Sequence, residues 1–146
     1  MFETHLYDAG VGVGMTLFHK IRDGEIPSHR VYEDDDVIAF LDVEPATTGH
    51  TLIIPRDHSE GLLDTPVSDW TAMLRVAKKL AGHYEDVLGC DGFNIVQSSG
   101  EAAEQEIPYV HVHLIPRYDD DTFSLWGERV GDGESLESLA EKLWVS

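Results

Sequence analysis

The chain has 146 residues, 28 Asp and Glu against 10 Lys and Arg, a formal net charge of −18, 42% hydrophobic content and one cysteine. That length supports one domain with a core of its own, without help from a metal or a disulfide, and the lone Cys90 closes no internal bridge. No apolar run is long enough to span a bilayer and no leader pattern is present, and a chain this acidic is repelled by nucleic acid and anionic lipid. Neither partner is therefore expected, and the expected location is cytoplasmic.

The order of elements follows from periodicity and punctuation. Residues 1–14 show no period and read as a flexible N-terminal arm, ahead of a single domain over 15–146. Thr16 is placed to cap a short helix carrying Leu17, Phe18 and Ile21, which Gly24 ends. The runs Val31–Glu33 and Val37–Leu41, joined by Asp34-Asp35-Asp36, predict a hairpin, and Thr51–Ile54 predicts a buried strand stopped at Pro55. Pro66 opens one long helix with Trp70, Met73, Leu74, Ala77, Leu80, Ala81 and Tyr84 at spacings of three and four, closed by Gly89. Two more strands are expected at 93–97 and 110–115, separated by a polar loop over 98–105. A last helix is expected to hold Leu136, Leu139, Ala140 and Leu143. Strands and helices are segregated, so the class is α+β.

The acids cluster at 34–36 and 119–121 while only four lysines occur, Lys20, Lys78, Lys79 and Lys142. This balance is read as adaptation to high salt rather than ordinary solubility, since self-repulsion on such a surface is relieved by screening.

The chemistry is concentrated in Tyr109-Val110-His111-Val112-His113-Leu114-Ile115-Pro116. With a strand period of two, Tyr109, His111, His113 and Ile115 share one face, and Val110, Val112 and Leu114 turn to the core. His111 and His113 then stand about 6.6 Å apart along the strand, close enough to serve two atoms of one phosphate group. Two other readings stay open. The imidazoles could alternate with core residues on an exposed sheet face, or could hold a metal with a third ligand from His50, His58 or a carboxylate. No H-E-x-x-H or paired-cysteine motif supports the metal.

Three separated segments, in order, carry a resemblance. They are Phe18-His19-Lys20-Ile21 with Gly24-Glu25-Ile26-Pro27 and Val31–Asp34; Ala39-Phe40-Leu41-Asp42 with Gly49-His50-Thr51-Leu52-Ile53-Ile54-Pro55; and Gly92-Phe93-Asn94-Ile95 with Gln105 and the His-x-His-x-Ile-Pro run. Over 17–117 the chain resembles the histidine triad superfamily, in its branch of small histidine triad nucleotide-binding proteins, and with the charge balance a halophilic archaeal source is expected. The resemblance implies a five-stranded antiparallel sheet with one long and one or two shorter helices, and a homodimer. The implied activity is that of a hydrolase or nucleotidyl transferase at the α-phosphate of a purine nucleotide derivative, of phosphoramidase type. A dinucleoside polyphosphate hydrolase and a non-catalytic nucleotide-binding module are the alternatives. His111 matches the nucleophile, His113 the phosphate-contacting histidine and His50 a further histidine beside them. Asp42 matches the ribose-holding residue, Phe18, Ile21, Phe40 and Val43 the apolar base slot, and Ser98 and Gln105 the phosphate loop.

The departures from that pattern are as informative. Tyr109 stands where the first histidine of the triad is expected. In many prokaryotic relatives that histidine joins two cysteines and the histidine matching His50 in a structural zinc site, and the cysteine positions are Thr16 and His19 here. No metal or other cofactor is therefore expected, with the Tyr109 hydroxyl hydrogen-bonding across the vacated space. Glu104 replaces a glycine of the phosphate loop and Glu106 a serine found in some relatives. His111, His113, Arg117 and loop N–H groups are the candidates for balancing substrate charge. Trp126 and Trp144, beyond the resemblance, are expected to pack in the core.

Overall fold

The Thr16 side chain accepts the His19 N–H while the His19 ring accepts the Thr16 N–H, and this reciprocal cap starts helix α1 (Leu17–Arg22). The computed structural model describes residues 14–146; the arm expected over 1–14 lies, except for Gly14, outside the described residues. Strands β1 (Arg30–Glu33) and β2 (Val37–Leu41) form the expected hairpin, in which Asp34 Oδ1 accepts the N–H groups of Asp36 and Val37. Strand β3 (Thr51–Pro55) follows, then helix α2 (Val67–Leu88), which Pro66 opens and Gly89 ends in the left-handed conformation. Strand β4 (Gly92–Val96), a single 3₁₀ turn (Glu101–Ala103), strand β5 (Val112–Arg117) and helix α3 (Leu136–Leu143) complete the order.

The five strands form one antiparallel sheet in the order β1-β2-β3-β5-β4. Each face is covered by its own cluster. Val37, Ala39, Ile53, Val112 and Leu114 pack with Met73, Val76, Ala77, Leu80 and Tyr84 of α2. Ile38, Phe40, Leu52 and Ile54 pack on the other face with Leu17, Phe18 and Ile21 of α1, together with Ile107 and Tyr109. Double coverage is why β2 is apolar throughout and β3 is buried along its whole length instead of alternating. His113 pairs with Leu52, and this register puts its side chain on the α1 side of the sheet, away from α2.

Two expectations are corrected here. Tyr109 and His111 precede β5 instead of lying in its ladder, and their face is no solvated surface: Tyr109 is fully buried and His111 is 4% exposed. Trp126 and Trp144 are not core; both are exposed. No helix among the described residues is long and apolar enough to cross a membrane.

Candidate active site

Asp42 and His50 sit at the two ends of the β2–β3 loop, which the Asp42 N–H closes by donating to the His50 carbonyl at 3.0 Å. Backbone partners then fix the protons of two imidazoles, and one of these fixes a third. The Ala46 N–H donates to His50 Nδ1 at 3.0 Å, so in the neutral ring the proton of His50 resides on Nε2. That nitrogen lies 2.9 Å from His113 Nδ1, so His50 donates to His113, and His113 carries its own proton on Nε2. His111 Nδ1 is 2.8 Å from the Tyr109 carbonyl, which only accepts; Nδ1 is therefore protonated and Nε2 keeps a bare lone pair. The rings of His111 and His113 are 5.0 Å apart, and the edge of Phe18 closes on His111 at 5.0 Å.

Burial keeps all three rings neutral. It lowers the pKa of His111 and, with help from the neighbouring imidazoles, that of His113, and it brings His50 down to about 4. The unfolded chain takes up the His50 proton near the ordinary value of 6.5, whereas the native ring resists until about 4. Stability from this group is thus complete above about pH 6.5 and lost as pH falls toward 4. Thermal melts should fall in midpoint below pH 6.5, while single-turnover rates stay flat from pH 8 to about pH 6.5 because the imidazoles keep their lone pairs. A rate that halves with a pKa near 6.5 would show that the rings titrate as if exposed.

Asp42, His50 and His113 bring one ligand atom each within 4.8 Å, an arrangement a cation could enter. The proton order opposes it. A metal on His50 Nε2 would move the proton to Nδ1, directly facing the Ala46 N–H. His111 is also not part of the group, so the paired use of His111 and His113 by one metal finds no geometric basis among the described residues.

A cleft of about 370 Å³ opens beside His50 and His113, and His111 stands behind His113 without lining it. Asp42, Glu44, Pro45, Ala46 and His50 line it from the β2–β3 loop, Ser98, Glu104 and Glu106 from the segment after β4, and Val96, His113, Ile115, Phe123 and Leu125 close it. Asp42 is buried, which raises its carboxyl pKa; Oδ1 accepts the Glu44 N–H at 2.9 Å and Oδ2 lies 3.6 Å from His50 Nε2. Of the expected base slot, Phe18, Ile21 and Phe40 are buried in the α1 cluster and Val43 is exposed, and none of the four lines this cleft. Gln105 is a brace: its Nε2 donates to the Glu60 and Ile107 carbonyls and its Oε1 accepts the Gly100 N–H. Arg117 is committed as well, to Asp121, Asn94 and the Phe123 carbonyl, so it anchors the segment after β5 and lies outside the cleft lining. That anchoring delivers Phe123 and Leu125 to the cleft, which no sequence motif announced.

Behind the triad lies a second cluster. The Tyr109 hydroxyl donates to the Pro55 carbonyl at 2.5 Å, with the Arg56 carbonyl at 3.2 Å, and its ring is flanked by His19 and His58. The zinc ligand set drawn from the resemblance needs correction here. The imidazole beside His19 is His58, with ring centroids 4.5 Å apart, whereas His50 packs on His113.

Fold and site together define a cluster of buried histidines beside a cleft on one face of an antiparallel sheet. The chain belongs to the HIT domain family, whose model matches residues 23–120. It is 43% identical over 120 residues to an uncharacterized HIT-like protein of Methanocaldococcus jannaschii, covering 82% of this chain and 88% of that one. It is 36% identical over 129 residues to the adenosine 5'-monophosphoramidase of Saccharomyces cerevisiae, covering 87% and 79%. A zinc-bound histidine triad family protein from Mycobacterium smegmatis superposes with a TM-score of 0.71 at 38% identity, covering 74% of this chain and 78% of that one.

Zinc does not fit the corresponding cluster here. The Tyr109 oxygen is spent on a backbone carbonyl, His19 Nδ1 is held by the Thr16 N–H and hydroxyl, and His58 Nε2 is held by the Pro108 carbonyl. No thiolate is available, because the only cysteine, Cys90, packs in the α2 cluster.

Proposed function

We propose that this chain hydrolyses purine nucleotide conjugates at the α-phosphate, as a phosphoramidase working through a nucleotidyl-His111 intermediate. The observation that carries this reading is the His111 Nδ1–Tyr109 carbonyl bond, which leaves a neutral, oriented Nε2 lone pair on a ring whose centroid lies 5.0 Å from that of His113, the histidine that lines the cleft. In the reaction Nε2 attacks phosphorus, the P–N bond of the conjugate breaks with its electron pair going to the departing nitrogen, and that nitrogen takes a proton from solvent. Water then attacks the same phosphorus, and the pair of the P–Nε2 bond returns to His111 as the mononucleotide leaves. His113 donates its Nε2–H to a phosphoryl oxygen throughout, and His50, held by the Ala46 N–H, keeps that proton in place. Asp42 takes the ribose hydroxyls, and Ser98 and Gln105 shape the phosphate loop. The named activity of the yeast relative supports the same chemistry.

The protein works without a metal, in a cytoplasm of high salt such as a halophilic archaeon maintains, as a homodimer. The exposed edge strand β4, with Ile95 facing solvent, is the natural surface for a second copy. The test is steady-state turnover of adenosine 5'-phosphoramidate at molar salt, with and without chelator. Turnover unaffected by chelator is expected. Tight binding of adenosine monophosphate with no turnover would instead make the chain a nucleotide-binding module.

A further inference from the structure

The walls of the cleft are acidic on both sides. Asp42 and Glu44 face it from the β2–β3 loop, Glu104 and Glu106 from the segment leading to β5, and among the described residues no Lys or Arg lines it. The imidazoles at its inner end, His50 and His113, are kept neutral by burial and supply no positive charge. Glu44 Oε2 is buried in that wall with no hydrogen-bond partner. Glu104 holds φ at 67°, the one positive φ at a non-glycine among the described residues, so the backbone tolerates a left-handed acidic residue where glycine would cost nothing.

We propose that Glu104 and Glu106 are specificity determinants, selecting a nucleotide conjugate whose departing amine bears a second, positively charged ammonium over one whose departing group is neutral or a polyphosphate. This rests on the phosphoramidase reading. A nucleotide brings negative charge to His113, and a polyphosphate would set further negative charge against these carboxylates, where a like-charge approach is unfavourable. An ammonium on the departing group meets the same carboxylates as counter-ions and leaves the α-phosphate at the histidines. Glu104 is exposed, so the gain is that of a partly screened ion pair, about threefold to fivefold at low salt.

The test compares kcat/KM for three substrates in wild type and in the Glu104→Gln/Glu106→Gln double variant. Two are adenosine phosphoramidates of equal length, one from a diaminoalkane with a free ammonium and one from an alkylamine ending in methyl; the third is diadenosine tetraphosphate. At about 0.1 M salt wild type should favour the ammonium conjugate over the methyl one by about threefold to fivefold, and the double variant should bring the ratio close to one while improving its relative use of the tetraphosphate. Molar salt should compress the wild-type ratio in the same direction. Equal use of the two phosphoramidates by wild type, or a ratio unmoved by the substitutions, overturns the proposal. So does a chelator-sensitive rate, because the carboxylates would then serve a cation of their own. Glu104→Gly, whose backbone suits the left-handed position, replaces the double variant if the latter fails to fold. Calorimetric binding of the two phosphoramidates is run in parallel. Absence of turnover with a preserved preference in Kd would count against the phosphoramidase reading alone, whereas turnover without any preference would count against the selectivity alone.

Discussion

His111→Asn should abolish turnover while leaving the fold in place. The imidazole holds a bare, preoriented Nε2 behind His113, and asparagine keeps a donor for the Tyr109 carbonyl but offers no nucleophile. Removing the group that forms the covalent bond typically costs several orders of magnitude, and a loss of at least about 10⁴-fold in kcat is expected. Binding of adenosine monophosphate should persist, since Asp42 and the cleft walls are untouched. The check is stopped-flow or discontinuous assay of the phosphoramidate, with thermal melting as the control for folding. A variant that keeps a tenth of the rate would remove His111 from the chemistry.

The second large effect is expected at Tyr109. Its ring fills the space between His19, His58 and Phe18, it is fully buried, and its hydroxyl satisfies the Pro55 carbonyl. Burial also pushes the phenol up to about 12, so it remains a neutral donor at any working pH. Tyr109→Phe leaves that carbonyl without its partner and should cost about 1–3 kcal/mol. Tyr109→Ala opens a cavity as well and should cost about 3–5 kcal/mol, enough to unfold much of the protein at low salt. Chelator should change neither melting point, because the cluster is held by hydrogen bonds and ring packing. The combined change Thr16→Cys, His19→Cys and Tyr109→His should reverse this, giving a protein that takes up zinc and melts lower when stripped of it. Stoichiometric zinc in the unaltered chain would contradict this account of the cluster.

How much of this was legible in the sequence varies element by element, for identifiable reasons. Local signals worked where the determinants are local. Thr16 capping α1, Asp34 turning the β1–β2 hairpin, and Pro66 and Gly89 bounding α2 are all visible as residue types at fixed offsets. The H-x-H pair singled out the segment that holds His113 while leaving other readings open, and the resemblance to histidine triad proteins implied the five-stranded antiparallel sheet that is observed. What depended on tertiary partners was hidden. A period of two placed Tyr109 and His111 on a strand, but the ladder starts only at Val112, and α1 with Phe18 covers the face that alternation left open to solvent. The proton order of the histidines could not be seen either, because it is set by the Ala46 N–H and the Tyr109 carbonyl, backbone groups that carry no sequence signature. Likewise His58, not His50, stands beside His19 and Tyr109, a pairing made by the turn after β3. Phe123 and Leu125 reach the cleft only because Arg117 ties down the chain that follows β5.

The most direct measurement is the intact mass of the protein quenched during turnover of adenosine 5'-phosphoramidate, followed by mapping of the modified peptide. A mass increase of one adenylyl group, located on His111 and absent from His111→Asn, is the expected result. Turnover with no adduct under rapid quench, or an adduct on any other residue, would contradict a nucleotidyl-His111 intermediate.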